Sequence, residues 1–350
     1  MHVYVLCTAA LGRSRLVVIL GAFAILRASA VLAQQPGPDV AAQVSAPHPP
    51  SVVRRGVANP AVARRLTDLH PVAVFPVEGT PDWSVVAANS VWVSSAKVNH
   101  VVQLDAATNK PGLVADVRRP CSGLAQGFGS IWIPSCGDKA IVRLDPTTAK
   151  SVATIAIEPE DSEGGITIGA GSVWIVAKPG RLVRIDPATN SVAGSVELPS
   201  GAANPAWGGG FLWITSNAQS ELLKVDPQAL KIVVTIPVGP RPRFLTVSPD
   251  SVWTLNQGDG SVSRVNMDSG QLLATIPCGI SGEGGEISFG DGFVWATMFD
   301  FPLTQIDPTS NLVVRQWSGK GGDGLRTGLG SLWLSNLLQS TVWRISSQLE

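Results

Sequence analysis

From residue 71 onward the chain alternates short apolar runs with Gly, Asp, Pro, Ser and Asn clusters. Within the runs, Val, Ile and Leu recur at every second position, the spacing of β-strands with one face turned to a core. One run returns seven times, each time as a small or aromatic residue, an aliphatic residue and then Trp: Ser90-Val91-Trp92, Ser130-Ile131-Trp132, Ser172-Val173-Trp174, Phe211-Leu212-Trp213, Ser251-Val252-Trp253, Phe293-Val294-Trp295 and Ser331-Leu332-Trp333. Successive Trp residues are 40, 42, 39, 40, 42 and 38 positions apart. A period near 40 built from strand-like segments marks a β-propeller with one repeat per blade.

The third repeat predicts the blade in detail. Gly165–Gly169 forms an inner strand, Ser172–Ala177 carries Trp174, Arg181–Asp186 is third and Ser191–Leu198 outermost. The third and fourth strands are joined by Asp-Pro turns at Asp145-Pro146, Asp186-Pro187, Asp226-Pro227 and Asp307-Pro308. There Asp accepts local backbone N–H groups and Pro presets φ, so these acids are structural. The repeated Trp residues are expected to pack between blades rather than to bind a cofactor. The seventh repeat ends without a fourth strand, whereas residues 71–77 resemble an outer strand with no blade of their own. An all-β, seven-bladed propeller closed by residues 71–77 joining the last blade follows, hiding two sheet edges at once.

Charge divides the chain. Lys+Arg and Asp+Glu each total 26. Residues 71–350 hold 24 acids and 19 bases, a net of −5, while the first 70 residues hold 7 Arg and 2 Asp, a net of +5. Nothing in this balance points to nucleic acid. Residues 1–33 have the form of a signal peptide: Arg13 and Arg15, an apolar core from Leu16 to Leu26, and small residues before Gln34. That core is too short to span a bilayer comfortably, since about 20 residues are needed. Residues 34–70, rich in Pro, Ala and paired Arg, are expected to be a disordered tether. The chain from 71 to 350 is then a monomeric periplasmic or secreted propeller, with no transmembrane span after cleavage.

The motifs Gly-Ser-Val-Trp, Arg-Ile-Asp-Pro-x-Thr-Asn and Val-x-x-x-Ile-x-Val-Gly resemble those of YVTN (YncE-type) propellers and of the related streptogramin (virginiamycin B) lyase family, over residues 71–350. The lyase resemblance implies a catalytic His just before an inner strand, a Glu following a neighbouring Trp strand, and magnesium nearby. Neither residue is matched here: among residues 34–350 the only His residues are His48, His70 and His100. No vicinal cysteine pair or Cys-x-x-Cys-His suggests a quinone or haem enzyme.

Candidate chemistry lies where the repeats disagree, around one mouth of the central channel. Positions ten, nine and seven before each Trp supply Asp82, Asn204, Glu286 and Asp323 with Arg243 and Arg326, and Trp83 and Phe244 as apolar walls. Positions nine and seven share one face of the inner strand and are expected to look into the channel. These eight residues form a candidate site for a small molecule, peptide or envelope partner. The alternative is a lyase or metal-dependent lactonase in which Asp82, Glu286 and Asp323, from consecutive blades, hold a divalent cation such as Ca or Mg. Cys121 and Cys136 flank one blade at the same mouth and would pair as a disulfide in an oxidising compartment. Cys278 is left as a buried small hydrophobe.

Overall fold

A computed structural model describes residues 54–349. The proposed signal peptide and the tether as far as residue 53 lie outside the described residues. Seven antiparallel sheets follow one another along the chain, each with its innermost strand first. The inner strands of blades one to seven are Pro81–Ala87, Ala125–Gly127, Ile166–Gly169, Ala202–Gly208, Pro242–Val247, Glu286–Gly290 and Asp323–Gly328. Blade three matches the expected pattern, with Ser172–Ala177, Arg181–Asp186 and Ser191–Glu197 following its inner strand. Blade seven is completed by Ala73–Pro76, which pairs antiparallel with Thr341–Ser346 in the register Ala73 with Arg344 and Pro76 with Thr341. The closure inferred from residues 71–77 is therefore made.

All seven repeated Trp side chains are fully buried. In six of them the indole Nε1 also donates to the end of its own blade's inner strand: to the carbonyls of Gly127, Gly169, Gly208, Gly290 and Gly328, and to Ser248 Oγ. Long cationic side chains from the third strands cover several of these rings. Arg143, Arg184, Arg264 and Arg344 lie over Trp132, Trp174, Trp253 and Trp333, and Lys224 over Trp213. The same four Arg residues donate through Nε to the Ser two positions before their Trp.

Three of them then cross to the next blade. Arg143 reaches Pro187 O and Asn190 Oδ1, Arg264 reaches Pro308 O and Asn311 Oδ1, and Arg344 reaches Ala106 O and Asn109 Oδ1. Each receiving Asn occupies the left-handed region that Asn tolerates well. The turn acids Asp105, Asp145, Asp226 and Asp307 accept backbone N–H groups two or three residues on, and Asp145 accepts the Thr147 hydroxyl above all, which holds their carboxyls below the usual range. Their role is structural, as their recurrence indicates.

The tether boundary at residue 70 requires correction. Residues 54–70 are packed, not free. Ala63–Arg65 adds a fifth, parallel strand to blade six beside Leu312–Ser318. Leu66 and Leu69 are buried in the cluster that contains Trp295 and Trp317. Arg54 Nε donates to Ser281 O at 2.8 Å, and Val57 N to Gln316 Oε1 at 2.7 Å. The physical reason is the open outer edge of blade six, whose unpaired backbone groups accept a strand. The paired arginines obscure the two leucines that anchor it.

Candidate functional site

The channel is divided in two. Trp83 from blade one and Phe244 from blade five meet with ring centroids 5.6 Å apart and planes inclined at 58°. Both are nearly inaccessible, at 5% and 2% exposure. Two cavities with no lining residue in common lie on the channel. One, of about 510 Å³, is the mouth: it is formed by loops entering the inner strands and loops leaving the Trp strands. The other, of about 350 Å³, is lined by the bodies of the inner strands and reaches the opposite end at Ile168, Trp207 and Val247.

The eight residues expected at one site fall into two groups. Arg243 and Asp323 line the mouth, while Trp83, Asn204, Phe244, Glu286 and Arg326 line the inner chamber. Asp82 is half-buried beside the mouth carboxyls and interacts with them through its charge. Asn204 is 5% exposed, and its amide nitrogen is held by the carbonyls of Glu163 and Arg243, both at 2.9 Å. Glu286, 4% exposed, accepts the Leu325 N–H at 2.7 Å on one oxygen and pairs with Arg326 through the other. Arg326 Nε donates to Ser84 O at 3.0 Å, which anchors the pair to blade one.

The expected metal trio is not assembled. Among the described residues, no three His, Cys, Asp or Glu side chains are grouped to hold a cation. Glu286 cannot readily serve because both its oxygens are occupied by Arg326 and Leu325. Position nine before Trp directs Glu286 to the Arg of the neighbouring blade.

The mouth also contains residues outside the expected eight, among them Asp161, Glu163, Arg241 and Gln257. The first three precede their Trp by eleven to thirteen positions, just outside the window surveyed. Arg243 pairs with Asp161 at 2.9 Å, and Arg241 with Glu283 at 3.6 Å. Asp161 also accepts the Glu163 N–H at 2.8 Å. Burial raises the proton affinity of Asp161, but the Glu163 N–H and the Arg243 guanidinium outweigh it and hold the carboxyl low.

Glu163 and Asp323 face the same cavity without an ion-pair partner among the described residues. Burial, reinforced by the charge of Asp323, pushes Glu163 up to about 7 against the lowering charge of Arg243. Burial and the charge of Glu286 push Asp323 up to about 6, against the lowering effect of the Gly285 N–H donated at 3.0 Å. Gly284 and Gly285 both have positive φ, at 84° and 85°, and a side chain on Gly285 would meet the Thr297 carbonyl at 2.4 Å. Glycine is therefore needed to bring that N–H to Asp323. Asp323 itself has φ 147°, a strained value for a non-glycine residue. Burial and the neighbouring charges of Asp323, Glu163 and Glu286 hold Asp82 well above the usual carboxyl value.

The Cys121–Cys136 disulfide is formed at the rim of blade two, with Cα atoms 5.9 Å apart. Cys278 is free and buried, and burial pushes its thiol up to about 12, as befits a packing residue.

Comparison with known proteins bears on the fold alone. No family model and no curated protein sequence matches the chain. Among solved structures it is similar to a streptogramin B lyase, with 18% identity, a TM-score of 0.64, and coverage of 78% of this chain and 94% of that one. It is similar to hydrazine synthase from Kuenenia stuttgartiensis, with 13% identity, TM-score 0.66 and coverage of 78% and 97%. It is also similar to the β-propeller domain of Cps50 (Swd1) from Myceliophteria thermophila, with 12% identity, TM-score 0.66 and coverage of 80% and 100%. The expected fold likeness to the streptogramin lyases is thus present.

Proposed function

We propose that the protein is an exported binding protein whose channel mouth receives a small ligand or peptide end carrying a positive charge. One observation carries this reading. Both arginines of the mouth are matched by carboxylates, in the pairs Arg243–Asp161 and Arg241–Glu283, and Glu163 and Asp323 are left over, facing a cavity of about 510 Å³. Two desolvated carboxyls of raised proton affinity, neither in an ion pair because the nearby Arg243 is paired with Asp161, are the complement of an ammonium or guanidinium group. The Cys121–Cys136 disulfide and the apolar segment from Leu16 to Leu26 support export.

The test is thermal unfolding with primary-amine and guanidinium compounds, their neutral analogues, and Ca²⁺, Mg²⁺, Mn²⁺ and Zn²⁺ against a chelated control. A ligand of the native state raises the midpoint by mass action. Stabilisation by organic cations alone supports the proposal; stabilisation confined to a metal ion overturns it in favour of metal-dependent lyase or lactonase chemistry. A metal-free lyase is the second reading, favoured by the value of about 7 for Glu163, close to that of an effective general base at neutral pH. Substrate turnover lost in Glu163→Gln would distinguish it from binding alone.

A further inference from the structure

The chamber beyond Trp83 and Phe244 has the features of a site in its own right. Its space exists because the inward positions of blades two and three are small. Gly123 and Gly165 stand where blades one, five and six carry Trp83, Phe244 and Glu286, and Ala125 stands where blade seven carries Arg326. A side chain at Gly165 would come within 2.6 Å of Asn204 Oδ1, so glycine keeps that oxygen uncovered.

Asn204 is nineteen-twentieths buried, and its orientation is set by its nitrogen, which donates to the Glu163 and Arg243 carbonyls. Its Oδ1 is thereby turned away from both carbonyls, toward Gly165 and the chamber, and has no donor among the described residues. That oxygen is open to the chamber and free to accept from a molecule placed there. Donors lacking acceptors stand on the neighbouring blades. The Thr167 hydroxyl makes no hydrogen bond among the described residues, and Thr246 Oγ1 accepts from Phe289 N at 3.1 Å, leaving its own hydrogen free. The chamber's charges cancel, because Glu286 and Arg326 pair with each other. The aromatic pair Trp83–Phe244 closes one end.

We propose that this chamber is a second binding site, separate from the mouth, for a small neutral planar cyclic amide. Such a molecule carries adjacent N–H and C=O groups, the donor for Asn204 Oδ1 and the acceptor for Thr167 or Thr246, on a flat body suited to the half-buried Trp207 of the chamber lining. A charged molecule would gain nothing from a neutral lining and would lose hydration. About 350 Å³ lies at the lower end of the range for small-molecule pockets, which excludes a peptide.

The experiment titrates the protein, from residue 34 onward, with 2-pyridone, 2-pyrrolidone and uracil, followed by saturation-transfer NMR and by soaking of crystals. N-Methyl-2-pyridone, which lacks the N–H, is the control. Saturable binding of at least one cyclic amide is expected, with the N-methyl compound weaker than 2-pyridone by about tenfold or more. Ala206→Leu fills the chamber and should abolish binding, while Thr167→Val, which preserves shape, should weaken it several-fold. Glu163→Gln in the mouth should leave it unchanged, so this site and the mouth can fail separately. Absence of saturable binding, equal binding of the N-methyl control, or binding that survives both chamber variants would overturn the proposal.

Discussion

Arg344 Nη1 donates to Asn109 Oδ1 at 2.8 Å, joining the last blade to the first across the closure of the ring. The same guanidinium donates to Ser331 Oγ at 3.0 Å and lies 5.4 Å from the centre of the Trp333 ring. One side chain therefore connects the conserved geometry within a blade to the joint between two blades. Equivalent contacts join blades two and three through Arg143–Asn190, and blades five and six through Arg264–Asn311. Blades one and six carry Gln103 and Gln305 at the corresponding place, so the arginine latch does not occur at every junction.

Replacement of Arg344 by Ala is expected to destabilise the protein by about 2–4 kcal/mol, combining lost hydrogen bonds from a charged donor with the lost contact to the ring. Arg344→Lys should not restore stability, because an ammonium cannot present the planar fork that serves several acceptors. Asn109→Gly keeps the left-handed turn but removes the acceptor. A double-mutant cycle by chemical denaturation should give a coupling of about 1 kcal/mol or more between positions 344 and 109.

Removal of residues 71–78 should destabilise the whole ring. The segment buries Phe75 and Val77, each contributing about 1.5–3 kcal/mol, and leaves the edge of Thr341–Ser346 open when absent. The expected result is a lower and broader thermal transition. A chain begun at His70, without the strand Ala63–Arg65, should retain the ring, although Leu66 and Leu69 no longer cover blade six. An unchanged transition on removal of residues 71–78 would refute closure by this strand.

How far the fold could be read in advance follows from the same contacts. Trp333, its Ser331 and Arg344 recur at fixed spacing in most blades, and a repeated local unit is visible in sequence. The parity of the inner strands likewise placed Trp83, Asn204, Phe244, Glu286 and Arg326 on the channel lining. Sequence parity does not tell which inward residues meet. Trp83 and Phe244 touch only because the ring brings blades one and five to a common axis, and their contact turns one expected site into two. Asn204 and Glu286 were legible as polar residues, but their backbone and Arg partners depend on the loops of neighbouring blades. Glu163 escaped notice because a longer loop carries it to the mouth.

The Cys121–Cys136 bridge should leave a single titratable thiol, that of Cys278, when the chain from residue 34 onward is unfolded without reductant. A loop closed over a separation of 15 residues contributes about 3 kcal/mol in the chain-entropy model. Reduction, or Cys121→Ser, should lower stability by that order. Three thiols in the unreduced chain would show that the bridge does not form.

Stability should fall as pH rises from about 5 to 7, above the range in which the carboxyls held low, such as Asp145, Asp161 and Asp307, titrate in the unfolded chain. Glu163 and Asp323 have folded values of about 7 and about 6, above those of an unfolded chain. In that window the folded state binds more protons than the unfolded state, so the slope of unfolding free energy with pH is negative. The penalty from Glu163 is fully absent below its unfolded value and complete above about pH 7, amounting to at most roughly 3 kcal/mol. Denaturant titrations at several pH values should show this fall, and Glu163→Gln should flatten it. A slope unchanged by that substitution would mean that Glu163 is not the group responsible.

The account rests most heavily on the two unpaired carboxyls of the mouth, and calorimetric titration with primary-amine and guanidinium compounds between pH 5.5 and 8 tests them directly. The account predicts saturable binding that tightens with rising pH as Glu163 and Asp323 ionise. Proton release should accompany binding near neutral pH, and both effects should be lost in Glu163→Gln. Binding that is indifferent to pH and to Glu163→Gln, or no binding of any organic cation, would contradict it.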